Sequence, residues 1–148
     1  MVEGRAAAAV CAAGRQRLAF VLDGMDKPPD LAIVELGGND LLRGLPPAET
    51  RANLSAILAE LKKRNVPVLL MGMRSPPNPG PEYRQAFDAI YPALAEESGA
   101  ALVPFFLEPV WADPKLIQQD RVHPTAEGID ALVAATSDDV AGALPNED

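Results

Sequence analysis

The sequence predicts an α/β fold, a three-layer α/β/α sandwich on a parallel sheet, and three observations carry that expectation. Three short, nearly continuous apolar runs, Leu31–Leu36, Val66–Met71 and Ala101–Phe106, read as strands buried on both faces. Segments with apolar residues at helical spacing stand between and after them. Strands that alternate with helices require crossover connections, which make the sheet parallel and cover both of its faces.

In order along the chain, residues 1–13 are dominated by alanine and show no apolar period, so they are set apart from the domain at 14–148. From Gly14, the residues Leu18, Val21 and Leu22 recur at helical spacing, and Asp23-Gly24 supplies an end. Pro28-Pro29 separates this helix from the first strand, which closes on Gly37-Gly38-Asn39-Asp40. Pro46-Pro47 suits the first turn of a helix whose Leu54, Ile57, Leu58 and Leu61 share one face. Lys62, Lys63 and Arg64 end it where the helix dipole favours cations.

The second strand leads into a loop from Arg74 to Pro81 that carries Pro76, Pro77, Pro79 and Pro81. The chain's 15 prolines are about twice the average usage of roughly 5%, and their clusters mark connections. Tyr83, Phe87, Ile90, Tyr91 and Leu94 then mark one face of a single helix that Gly99 terminates. Pro104 puts the third strand near a sheet edge, or marks its end. A last helix follows Pro124, with Ile129, Leu132, Val133 and Val140 as its apolar face.

At 148 residues and 48% hydrophobic content, the chain is sized for one domain with a buried core. A net charge of -8 opposes nucleic acid as a partner, because phosphate binding needs clustered Lys and Arg. Cys11 stands alone, which excludes an intramolecular disulfide and a thiolate cluster. No apolar run is long enough to span a bilayer, and Ala6–Ala13 is too short and too weakly hydrophobic for an export signal. The expected location is cytoplasmic, or periplasmic or secreted if a longer protein carries a signal.

Two clusters can carry chemistry. In Gly37-Gly38-Asn39-Asp40 the glycines and Asp40 support a sharp turn off the strand that aims the Asn39 amide across the crevice, where it can donate to a developing oxyanion. The same string also makes an ordinary turn. In Asp120-Arg121-Val122-His123-Pro124 the carboxylate stands three residues before the imidazole, able to accept Nδ1–H and orient the ring. As an isolated pair it reads more readily as an Asp capping a turn beside a surface histidine. His123 is the chain's only histidine, so any imidazole chemistry rests on it, and one His without a partner makes a poor transition-metal site. No metal and no cofactor are expected. Arg74, Ser75 and Asn78 lie on a loop that suits either a substrate groove or a solvated connector, and Arg74 is available to pair with one of the many carboxylates.

Taken in order, Val34 to Asp40, the strand ending in Met73-Arg74, Ala89-Ile90-Tyr91-Pro92, Pro104-Phe105-Phe106 and Asp120 to Pro124 resemble the SGNH (GDSL-type) hydrolases, in their arylesterase, thioesterase I and lysophospholipase branch. The likeness runs from about Gly14 to about Val140. It implies the family's flavodoxin-like parallel sheet and an esterase acting on a small-molecule ester or thioester without a cofactor. In that mechanism a Ser attacks the carbonyl, a His serves as base and then acid, and an Asp orients the His. The oxyanion rests on the Ser and a Gly backbone N–H and on an Asn side chain. The resemblance gives the Asn role to Asn39, the base to His123 and the orienting acid to Asp120.

The departures concern the other half of that site. The family's Gly-Asp-Ser-Leu block, on a strand ahead of Gly37-Gly38-Asn39-Asp40, has no counterpart, and Ser55, Ser75, Ser98 and Ser137 fall outside any matching position. Ala8 stands where the oxyanion Gly belongs, and Arg121 where the family usually has Gly. The expectation is an N-terminally incomplete hydrolase domain without its first strand and nucleophile, inactive as it stands. An apolar strand edge is then free for self-association. A non-catalytic remnant or binding module on the same fold is the alternative. Coding DNA upstream is expected to encode Gly-Asp-Ser-Leu in one reading frame; sequencing that finds none in any frame contradicts the expectation.

Overall fold

The computed structural model describes residues 10–146. Helix α1 (Cys11–Asp23) begins at Cys11 rather than at Gly14. Ala12 and Ala13 are strong helix formers. Val10 offers no side-chain cap, and the Cys11 N–H instead donates to Asp40 Oδ1 at 2.8 Å, which satisfies one of the orphan donors of the helix start. Leu18 and Leu22 pack on the core, whereas Val21 faces outward, a correction to the expected apolar stripe.

Strands β1 (Ala32–Val34), β2 (Val68–Met71) and β3 (Ala101–Val103) form one parallel sheet in that order, with Ile33 opposite Leu69 and Leu70 opposite Leu102. Each is shorter than the apolar run that predicted it. The contact between β2 and β3 nevertheless continues, since Gly72 N–H donates to Val103 at 2.7 Å and Phe106 N–H to Gly72 at 2.8 Å. Pro104 follows β3 on an outer strand, where its missing donor costs no ladder bond.

Alternation along the strands divides the core. Val34 and Leu70 face α3 (Pro47–Lys63) and α5 (Ile90–Ser98), where Leu54, Ile57, Leu58, Leu61, Tyr91 and Leu94 are buried. Leu69, Met71 and Val103 face the opposite way and meet Val140 and Ala143 of α7 (Ala126–Ala143). Helices therefore cover both faces, as expected of a three-layer sandwich. A fully buried Leu contributes about 1.5–3 kcal/mol, so the α3 stripe is a main source of stability.

Three expectations need correction. The helix expected across Tyr83 to Leu94 is two, α4 (Pro81–Asp88) and α5, joined at Ala89. Pro92 is the cause, because it has no N–H for the Asp88 carbonyl and its ring crowds that group. Ile33 is 50% exposed rather than buried on both faces, since its side chain borders an open groove shared with Met25 and Leu144. Ile129 and Val133 are also exposed, and α7 turns Leu132, Thr136 and Val140 inward instead.

Direction matters for the site. Val140 and Leu144, at the end of α7, line a groove with Pro29 and Leu31 just ahead of β1. Helix α7 thus runs antiparallel to the strands, and its start lies at their carboxyl ends, where parallel sheets of this kind hold ligands.

Asp40 ties these elements together. It lies in the short helix α2 (Gly38–Leu42), is 1% exposed, and accepts from Cys11 N–H and, at 3.1 Å, from the Thr50 hydroxyl of α3. Asp40→Ala is expected to lower unfolding free energy by about 2–4 kcal/mol, since both buried donors lose their acceptor, and Thr50→Val by about 1–2 kcal/mol. Urea titrations check this; losses within ~0.5 kcal/mol for both, the range of a neutral surface change, contradict it.

Candidate active site

The turn after β1 is built around Gly37, whose φ of 108° lies in the left-handed region. A Cβ there would also collide with the Tyr91 hydroxyl, which donates to the Leu36 carbonyl at 2.8 Å and clamps the turn from α5. Tyr91 is fully buried, and burial pushes its phenol well above the ordinary range, so it remains a donor. Gly38 passes close to Met73 of the loop after β2. Asn39 follows in the first turn of α2, half-buried, and its amide makes no hydrogen bond to another described residue.

The second cluster lies on a hairpin-like loop. After α6 (Glu108–Trp111), the chain makes a 3-10 turn at Pro114–Leu116. It then forms an antiparallel bridge between Ile117 and Pro124. Gln118 N–H donates to the His123 carbonyl at 2.7 Å, and Thr125 caps α7 by accepting from Gly128 N–H at 3.1 Å. Arg121 sits at the tip with φ 59°, a left-handed conformation in which a glycine is unstrained and an arginine is not.

Asp120 and His123 are brought together as the spacing suggests. Asp120 Oδ1 accepts the backbone N–H groups of Val122 at 2.9 Å and His123 at 3.0 Å, and its Oδ2 lies 2.6 Å from His123 Nδ1. The hydrogen bond from the His123 ring, reinforced by those two backbone donors, holds the Asp120 carboxyl down at about 2. In a neutral ring, an Nδ1–H donated to Asp120 leaves the lone pair on Nε2, and the 70% exposure of the His123 side chain leaves that nitrogen open to a reactant. No hydrogen bond joins Asn39 to this pair; the topology sets both at the carboxyl ends of the strands.

The loop residues behave differently from one another. Arg74 forms no ion pair among the described residues; its guanidinium lies 5.4 Å over the Phe105 ring, and Trp111 meets that ring edge-on at 5.5 Å. Ser75 is buried, with its N–H donating to Asp88 at 2.7 Å and its Oγ–H to the Pro76 carbonyl at 3.0 Å. Asn78 is exposed in a turn that Gly80 N–H closes onto the Pro77 carbonyl. The Arg74, Phe105 and Trp111 cluster and the Tyr91 clamp were not legible as site features, because each joins residues distant in sequence and of types that ordinarily mean core or surface.

No serine serves His123. Ser55 and Ser137 are exposed on the flanks of α3 and α7, Ser98 donates to the Leu94 carbonyl at the amino-terminal side of the sheet, and Ser75 is engaged as described. Residues 1–9 contain no serine. Cys11 offers no substitute, since burial and the neighbouring Asp40 carboxylate push its thiol pKa far up and keep it protonated. Among the described residues no group of three His, Cys, Asp or Glu side chains is placed to hold a metal.

Residues 2–131 match the GDSL-like Lipase/Acylhydrolase family, so the match reaches back into the Ala-rich stretch. The chain belongs to this family. It is 42% identical over 113 residues to Esterase TesA of Pseudomonas aeruginosa, covering 76% of this chain and 55% of that protein. It is 46% identical over 99 residues to Thioesterase 1/protease 1/lysophospholipase L1 of Escherichia coli K12, covering 67% of this chain and 48% of that one. The chain thus spans about half the length of these relatives. The crystal structure of AlinE4, an SGNH-hydrolase family esterase, superposes with a TM-score of 0.75 at 62% identity, over 94% of this chain and 74% of that one. The fold is that of the SGNH hydrolases.

The Asp120 carboxyl is expected to titrate near 2 by carbon NMR, against 3.8 for an unperturbed Asp. Its stabilising contribution is present above 3.8 and is lost as pH falls through about 2. In His123→Ala the midpoint should move up toward 3.8; an unchanged midpoint contradicts the pairing.

Proposed function

We propose that this domain supplies the oxyanion and general-base half of a carboxylic ester or thioester hydrolase, with Asn39 as the oxyanion donor, His123 as the base and Asp120 as its orienting acid. The observation that carries this reading is the 2.6 Å contact between Asp120 and His123 Nδ1, which leaves Nε2 exposed at the ligand end of the sheet. Nε2 takes the proton from an attacking hydroxyl and returns it to the leaving alcohol or thiol, while Asp120 stabilises the imidazolium between the two steps. The Asn39 amide, without a hydrogen bond to another described residue, donates to the oxygen as it gains charge. Small-molecule aryl and acyl esters are the substrate class. The attacking serine is none of Ser55, Ser75, Ser98 or Ser137.

A chimera tests this directly. The segment ahead of this region in an SGNH esterase, joined before residue 10, should confer hydrolysis of a short aryl ester. Asn39→Ala should lower its kcat by about 100- to 1,000-fold and His123→Ala by about 10,000-fold. The unjoined chain should hydrolyse no faster than its His123→Ala variant and take up no serine-directed phosphonate. A chimera indifferent to His123, or stoichiometric labelling of one of the four serines, overturns the reading.

The absence of a serine beside His123 also favours a second reading, a non-catalytic binding module on the same fold. A chimera that folds cooperatively and binds ester without turning it over would select it.

Self-association is proposed for the β1 edge. Ile33 borders a groove shared with Met25 and Leu144, and a strand paired on one side only among the described residues leaves backbone donors and acceptors open. Light scattering should show concentration-dependent growth that Ile33→Lys suppresses; a monodisperse monomer at all concentrations contradicts it.

A further inference from the structure

A groove of about 680 Å³ is lined by Leu107 and Trp111 and by Ile117 and Val122 of the loop that carries His123. Its volume falls in the range of small-molecule sites. The wall and the base belong to one unit: Ile117 is bridged to Pro124, and Val122 precedes His123 directly. Trp111 is 52% exposed, and because its contact with Phe105 is edge-on, the indole is braced with accessible ring surface. Val122 is 36% exposed, so two apolar side chains of the groove are kept in contact with solvent, one of them next in the chain to His123. Asp113 and Arg121 also line the groove, so its charges offset one another. The chain's net charge of -8 further disfavours an anionic occupant.

We propose that this groove is the subsite for the uncharged aromatic leaving group of the ester, with the ring lying between Trp111 and Val122, and that it sets preference for aryl over alkyl alcohols. The proposal rests on the hydrolase reading for its place in a reaction, and on the groove alone for binding. Leaving-group protonation by His123 requires the departing oxygen near Nε2, and a subsite on the adjoining residues of the same loop holds the rest of the alcohol within reach of it.

Trp111 is the only tryptophan, so its emission reports on this site without a label. Titration of the whole chain with benzyl alcohol should produce a saturable change in Trp111 emission, with cyclohexylmethanol weaker and hexanoate without effect. Val122→Asp, which places a charge in the groove, should weaken the benzyl alcohol response by about tenfold or more. Ser137→Ala, on the exposed flank of α7, should leave it intact, and circular dichroism melts establish that both variants remain folded. A response linear in concentration, or one identical in Val122→Asp, overturns the subsite. The outcomes separate the two claims. A chimera whose ester hydrolysis needs His123, with no saturable emission change, refutes the subsite and leaves the reaction standing; saturable binding with an inert chimera does the reverse.

Discussion

The arrangement depends first on a carboxylate that never meets solvent. Asp40 is held between the first backbone N–H of α1 and the Thr50 hydroxyl of α3, and it is the residue immediately after Asn39. A buried carboxyl group is tolerated only when its oxygens find hydrogen-bond partners, so the fold has to keep both donors in place. That requirement couples the start of α1, the turn after β1 and the helix that carries the buried Leu54, Ile57, Leu58 and Leu61. Tyr91 closes the same turn from the other side through the Leu36 carbonyl, and Gly37 has no side chain because that hydroxyl occupies the space. Asn39 is thus positioned by packing that lies behind it rather than by contacts of its own.

The Asp120 and His123 pair is organised on a different principle. Asp120 and His123 are exposed, and their geometry comes from local backbone bonds, with two N–H groups on one carboxylate oxygen and the ring on the other. A loop of this kind carries its own geometry, pinned by the Ile117 to Pro124 bridge and by the Thr125 cap of α7. Arg121 adopts a left-handed conformation at the tip, where the family resemblance implies glycine. The hydrogen bonds on either side of it hold that strain in place. The two halves of the crevice therefore respond to different damage: loss of core packing displaces Asn39, and loop substitutions displace His123.

Much of this was legible in the sequence. Apolar runs and helical spacing foretold a parallel sheet covered on both faces, and the order of Gly37-Gly38-Asn39-Asp40 and Asp120 to His123 pointed to the family. Local signals worked best where local chemistry decides, as with Gly99 ending α5 in a left-handed conformation and Pro47 opening α3. They worked less well where the environment decides. The run around Ile33 is apolar throughout, but only the described neighbours reveal that one face of β1 is open. Ile129 and Val133 fit a helical stripe, and the orientation of α7 on the sheet is what turns them outward. Pro92 was visible, yet its effect fell one turn earlier, at Ala89. Phe105 and Trp111 could be read as core and surface aromatics, and nothing short of the tertiary fold brings Arg74 onto the first of them.

The central claim is that Asp120 fixes His123 as the Nδ1–H tautomer and leaves Nε2 as a free base. Nitrogen-15 NMR of the single histidine at a pH where the ring is neutral measures this directly. The account predicts a pyrrole-like Nδ1 and a pyridine-like Nε2, with the pattern lost in Asp120→Ala. A ring protonated at Nε2 in the parent chain, or a tautomer unaffected by Asp120→Ala, would contradict it.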